Sequence, residues 1–126
     1  MIRIPDPGRF ELRLMDGSAN PYLLQASVLA AGINGMKNKI DPGKPLNCNM
    51  YEDFAKYPNL PKLPDELDQS LKQLKQNKEM NDAFGADVIN SYIKLRGTEI
   101  KEFNNIERFD KSKLITKWER QNTLDC

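Results

Sequence analysis

Residues 2–13 read Ile-Arg-Ile-Pro-Asp-Pro-Gly-Arg-Phe-Glu-Leu-Arg, and within them three arginines and one glutamate share a face. Asp6-Pro7-Gly8 is a turn signal between two short alternating runs, which predicts a β-hairpin. Side chains alternate across a strand, so Phe10, Leu12 and Leu14 fall on one face and Arg9, Glu11 and Arg13 on the other. In the facing run Ile2 and Ile4 share a parity, and Arg3 points the opposite way. The polar face thus gathers three guanidiniums around one carboxylate. Arginine stays charged and grips phosphate or carboxylate with a planar fork, while a central glutamate can hold Mg²⁺ or Mn²⁺. That is an inventory for phosphoryl chemistry. The same pattern is more commonly an amphipathic hairpin with a solvated Arg/Glu face and cross-strand charge pairs. Spacing alone leaves both readings open.

Longer runs narrow the choice. Ile2-Arg3-Ile4-Pro5, Arg9-Phe10-Glu11-Leu12-Arg13 and Ser18-Ala19-Asn20-Pro21-Tyr22-Leu23 follow one another in order. Ala30-Ala31-Gly32-Ile33-Asn34-Gly35-Met36-Lys37-Asn38-Lys39-Ile40 comes next, then Asp41-Pro42-Gly43-Lys44-Pro45-Leu46 and Asn49-Met50-Tyr51. This series resembles the glutamine synthetase catalytic domain near its C-terminal end. The likeness is strong over residues 2–51 and continues as a shared helical layout over 63–74 and 87–102.

The resemblance implies the C-terminal portion of such a domain over residues 1–126, with the N-terminal domain and most of the active site lying upstream. It implies a parent ligase that makes glutamine from glutamate, ammonia and ATP through a γ-glutamyl phosphate, with Mg²⁺ or Mn²⁺ as cofactor. Position by position, Glu11 matches the ligand of the metal that bridges the nucleotide phosphates. Arg13 matches the residue holding the substrate glutamate's carboxylate. Arg3 matches the arginine that steadies the transferring phosphoryl group, and Arg9 a contact to nucleotide phosphate. Tyr51 matches a tyrosine that some bacterial members adenylylate, against the plainer reading of a loop ring packed on its domain. Close relatives join glutamate to methylamine or polyamines instead. A non-catalytic, self-associating helical module is the reading from another class. A first helix apolar on nearly every side, with open edges on the hairpin, implies a homo-oligomer, and the resemblance implies that this chain by itself lacks ligase activity and binds no cofactor tightly. The turn Asp6-Pro7-Gly8 is shorter than in many relatives, so the register of Arg3 against Glu11 is for the structure to decide.

Composition sets the outer bounds. A chain of 126 residues suits one domain at most, and 39% hydrophobic with 29% charged residues fits a globular protein. Nineteen basic and eighteen acidic residues leave +1, which gives no bulk electrostatic case for nucleic acid or membrane surfaces. Met1 leads straight into the first strand, so no signal peptide is expected. The longest apolar stretch, Tyr22 to Ile33, is too short to span a bilayer and contains Gln25 and Ser27. Cys48 and Cys126 have neither metal-ligand nor disulfide spacing and read as free thiols of a reducing cytoplasm. The chain has no histidine, which excludes Ser-His-Asp and Cys-His catalysis within it.

The elements that carry the hairpin are mainly helices, giving an α+β, mostly α-helical fold with an N-terminal hairpin. Asn20-Pro21 signals a helix start, with Asn as N-cap and Pro at the first helical position. That helix should run to about Met36 or Lys39. Its Leu23, Leu24, Val28, Leu29 and Ile33 make it apolar nearly all round, and burying the five would contribute about 7–15 kcal/mol. Residues 41–64 hold five of the eight prolines and predict an ordered surface loop. Asp65 should open a second helix striped by Leu67, Leu71 and Leu74. A third is expected over 77–84, stopped by Gly85. A fourth, from Ala86 to about Phe103, turns Ile89, Tyr92, Ile93, Ile100 and Phe103 inward. Asp110 or Ser112 should cap a last helix carrying Leu114, Ile115 and Trp118. The Lys/Glu-rich stretch 72–82 reads as a solvated helix face.

Overall fold

Pro7 and Gly8 reverse the chain between β1 (Ile2–Asp6) and β2 (Arg9–Leu12), and Gly8 takes φ +80°, a conformation that side chains beyond Cα disfavour. The computed structural model describes residues 2–106 and 115–123. The two strands pair antiparallel, with Ile2 opposite Leu12, Arg3 opposite Glu11 and Asp6 opposite Arg9. Between Arg3 and Asp6 the register shifts by one residue, around Pro5, which has no N–H to give to a ladder. The irregularity lets a tight turn coexist with Arg3 directly across from Glu11.

Asn20 then starts α1 (Pro21–Lys37): its Oδ1 accepts from the N–H groups of Tyr22 and Leu23, both at 3.1 Å. The helix ends within the expected window. Lys39 adopts a left-handed φ of 50°, and the Ile40 N–H reaches back to the Gly35 carbonyl at 3.0 Å. The proline-rich segment carries one short helix, α2 (Met50–Asp53), which tightens into a 3₁₀ turn over Phe54–Lys56. Asn49 caps α2 through a bond from the Tyr51 N–H at 3.2 Å.

Three helices form the packed part of the chain: α3 (Leu67–Gln76), α4 (Lys78–Phe84) and α5 (Ala86–Ile106). Asn77 closes α3 and caps α4, accepting from the Met80 N–H at 2.8 Å. Gly85 at φ +83° ends α4, as the sequence predicts. α3 lies along α5, and α4 sits between α1 and α5. The buried apolar residues of the described chain are Leu71 on α3 and Ile89 on α5, one from each long face of this packing. Tyr92, Ile93, Ile100 and Phe103 continue the same stripe, half-buried.

Two expectations need correction. α3 begins at Leu67 rather than Asp65, because Glu66 is extended and supplies only its carbonyl to the first turn, with no side-chain cap. Leu67 consequently stays 48% exposed, outside the packed stripe. The last helix, α6 (Lys117–Asn122), is capped by Thr116: its hydroxyl accepts from the Glu119 N–H at 3.1 Å, and Glu119 accepts from the Thr116 N–H at 2.7 Å. Ile115 precedes this helix instead of belonging to it, and the expected caps Asp110 and Ser112, with Leu114, lie outside the described residues. Trp118 meets Phe103 edge to face, ring centroids 5.5 Å apart, which ties α6 to the end of α5.

α1 is a different case. None of its residues is buried, and Tyr22, Leu29 and Met36 are 82%, 65% and 74% exposed. Ile2, Ile4 and Phe10, the apolar side of the hairpin, are exposed as well. The chain presents 11122 Å² to solvent, where a compact monomer of its 14.5 kDa would present about 6,900 Å².

Candidate functional site

The hairpin register assembles the polar face. In an antiparallel pair, residues opposite each other share a side of the sheet, so Arg3 and Glu11 face the same way. Arg9 and Arg13, two residues to either side of Glu11, join them by strand parity. Arg9 Nη2 donates to Glu11 Oε1 at 2.7 Å, while Arg3 Nη1 and Arg13 Nε approach Oε2 at 3.3 Å each. One carboxylate therefore meets three cations, using both of its oxygens.

The electrostatics follow from that geometry. The Arg9 hydrogen bond holds the Glu11 carboxyl below the usual carboxylate range; partial loss of water opposes it, and Arg3 and Arg13 add to the lowering. The Glu11 side chain is 27% exposed, whereas those of Arg3, Arg9 and Arg13 are 57%, 61% and 55% exposed. Each guanidinium carries five N–H donors, so each keeps donors open to solvent after serving Glu11. The cluster presents two surplus positive charges, on forks of the right shape for phosphate or carboxylate.

Glu11 suits a hard divalent cation, since Mg²⁺ and Mn²⁺ favour carboxylate oxygen. It supplies one such group. Among the described residues no three His, Cys, Asp or Glu side chains come together as a metal-holding group.

The other singled-out residues lie elsewhere. Tyr51, on the first turn of α2, is 93% exposed, so no other part of this chain covers its ring. Cys48 is a free, half-buried thiol whose Sγ lies 3.5 Å from Met50 Sδ. Tyr57 meets the same thiol, and this contact raises its phenol above the ordinary value. Cys126 lies outside the described residues. Lys62 stands over the Phe54 ring at 5.4 Å, which closes the proline-rich segment on itself. Sequence reasoning missed an apolar groove of about 260 Å³ between α1, α4 and α5, lined by residues including Leu23, Leu24, Phe84, Val88 and Ile89. The signal was available: a helix apolar nearly all round has more faces than its neighbours can cover.

Comparison with known proteins decides the family. The family described as glutamine synthetase, catalytic domain, matches residues 1–122. This chain belongs to that family. Glutamine synthetase of Rhizobium meliloti (strain 1021) is 42% identical over 125 residues, covering 99% of this chain and 27% of that protein. Glutamine synthetase of Rhizobium leguminosarum bv. phaseoli is 38% identical over the same span, again 99% and 27%. A glutamate–methylamine ligase of Methyloversatilis universalis is 58% identical over 52 residues, 41% of this chain and 12% of that protein. The chain thus spans about a quarter of the length of the curated relatives that match it from end to end. No solved structure matches it. Family membership and the mixed, mainly helical architecture with an N-terminal hairpin agree with the sequence reading. No helix among the described residues is long and apolar enough to cross a membrane.

Proposed function

We propose that this chain serves as the C-terminal portion of a glutamine synthetase catalytic domain, in an enzyme that uses ATP to join glutamate and ammonia. The family match and the full-length similarity to two glutamine synthetases support that reading. The observation that carries the site is the convergence of Arg3, Arg9 and Arg13 on Glu11. Transfer of a phosphoryl group to the glutamate γ-carboxylate spreads negative charge over phosphoryl oxygens, and fixed guanidiniums lower the cost of that charge.

In this reading Arg3 steadies the transferring phosphoryl group, Arg9 contacts nucleotide phosphate, and Arg13 holds the substrate glutamate. Glu11 contributes one oxygen ligand to Mg²⁺ or Mn²⁺, whose chemistry, when bound, is to neutralise and orient the nucleotide phosphates. The remaining ligands belong to other parts of the enzyme, because one carboxylate does not make a divalent site. The 126-residue chain alone is accordingly inactive, and ATP- and ammonia-dependent glutamine formation by it would overturn this. Exposed α1 and the open hairpin face mark surfaces that the rest of the domain or further copies cover, in a cytoplasmic homo-oligomer. The exposed Tyr51 phenol is accessible to a modifying enzyme such as an adenylyltransferase.

A second reading keeps the site and changes the nucleophile. Similarity to a glutamate–methylamine ligase over 52 residues supports an amine acceptor in place of ammonia. Turnover assays with ammonia and methylamine in parallel separate the two. In a full-length enzyme carrying this segment, Glu11→Ala abolishes turnover and weakens Mn²⁺ binding, whereas Arg13→Ala acts chiefly by raising KM for glutamate. Near-normal kinetics for both variants would reduce the hairpin to a solvated charge cluster.

A further inference from the structure

An anion-binding cradle made of three arginines is ordinarily open to solvent. Here a side chain of the same hairpin already sits in it. Both oxygens of Glu11 are engaged, Oε1 by Arg9 at 2.7 Å and Oε2 by Arg3 and Arg13 at 3.3 Å. The contacts are built into the fold: Arg3 stands opposite Glu11 in the strand register, and Arg9 and Arg13 flank it at two-residue spacing on the same face. A carboxylate and a phosphate oxygen offer a guanidinium the same kind of acceptor.

We propose that Glu11 is an internal counter-anion of this cradle, one that a phosphate-class ligand must displace from Arg3, Arg9 and Arg13 before binding in full. This rests on the reading of the three arginines as an anion site. A free anion meets a cluster in which Arg3 and Arg9 already donate to Glu11 and Arg13 lies 3.3 Å from it, so it takes the remaining solvent-facing donors. Whatever draws the carboxylate away returns those donors, and the arginines then close on the anion. Glu11 therefore sets how tightly the arginines hold an anion as well as serving the cation. Linkage makes the effect reciprocal: a cation drawn to Glu11 and an anion held by the arginines raise each other's affinity by the same factor.

The test is a titration of the full 126-residue chain with inorganic phosphate at low ionic strength, without metal, followed by calorimetry and by ³¹P line broadening. Glu11→Gln keeps the side-chain shape but surrenders the charge, and is expected to bind phosphate about tenfold tighter than the unaltered chain, the effect of freeing a charge-assisted hydrogen bond. Removing any acidic charge near arginines raises anion affinity somewhat, so Asp6→Asn is the control. Asp6 lies on the same hairpin, opposite Arg9, and outside the Glu11 ion pairs; its variant is expected to change phosphate affinity less than threefold. Glu11→Ala, checked for fold by circular dichroism, gives a second readout of the same effect if the glutamine variant is perturbed. Unchanged or weaker binding in both Glu11 variants, with phosphate still lost in Arg9→Gln, would overturn the internal counter-anion while leaving the anion site intact. Equal tightening by Glu11→Gln and Asp6→Asn would also overturn it, since general charge would then explain the gain. Failure of every form to bind phosphate would overturn the anion site itself and this inference with it.

Discussion

The hairpin and the α3–α5 unit are complete in opposite senses. In the hairpin, Glu11 has three partners within 3.3 Å, yet Ile2, Ile4 and Phe10 behind it are 62%, 74% and 63% exposed. In the helical unit, Leu71 and Ile89 are buried and the half-buried stripe continues to Phe103, while the ion pairs among its described residues are local, Lys72 with Asp68 and Arg96 with Glu99. Charge is organised where apolar surface is bare, and apolar surface is organised where charge is ordinary. Surface ion pairs contribute little stability, whereas buried aliphatic groups contribute much. Stability thus resides in the helices, and the capacity for chemistry in a hairpin that contributes little to holding the chain together.

The sharpest way to break that contrast is a matched pair of truncations. Ile89→Ala is expected to destabilise the chain by about 2–4 kcal/mol, through lost burial and a cavity between α3 and α5. Phe10→Ala removes a larger side chain but is expected to stay within about 0.5 kcal/mol, because the ring is already in water. Urea unfolding of both variants decides it: equal losses would mean that the hairpin's apolar face packs in solution.

A smaller effect tests the link between the two regions. Asn20→Ala removes the two capping bonds at the start of α1 and is expected to cost about 1 kcal/mol. The loss should appear as reduced helicity by circular dichroism, with the hairpin ion pairs untouched. Unchanged helicity would show that packing on α4, not the cap, fixes α1.

The smallest effect is a pH response confined to the far end. The Thr116 N–H and hydroxyl hold the Glu119 carboxyl below its ordinary value of 4.5. A carboxyl lowered on folding contributes stability above the unfolded value and loses it as pH falls through the lower folded one. Below about pH 4.5, α6 should therefore loosen. Trp118, the single tryptophan, should report it as a change in fluorescence as its contact with Phe103 opens. A Trp118 signal flat down to pH 2 would show that α6 does not depend on the Glu119 carboxylate.

Much of this contrast was legible in the residues themselves. Parity placed Arg3, Arg9, Glu11 and Arg13 together, because period-2 alternation needs no knowledge of the rest of the chain. Asn20, Asn77 and Gly85 marked helix ends through their own hydrogen bonds and φ angles, which are equally local. The exact register was not legible, since it depends on how the chain relaxes around Pro5. The last helix was misread for a different reason: Thr116 and Glu119 stand three apart as a capping box, but Asp110 and Ser112 offered earlier starts of the same chemical kind. The exposure of Tyr51 depends on where the proline-rich segment runs, and no local pattern encodes that.

The uncovered face of α1 has a calorimetric consequence. Heat capacity rises on unfolding in proportion to the apolar surface newly wetted, and a compact chain of this length would show about 1.5–1.9 kcal/mol/K. This chain already wets Tyr22, Leu29 and Met36 along one helix and Ile2, Ile4 and Phe10 along the hairpin. Its increment on melting should fall well short of that range. With less enthalpy tied to a single transition, the melt should be broad, and cold should weaken the fold less than it weakens a fully packed domain.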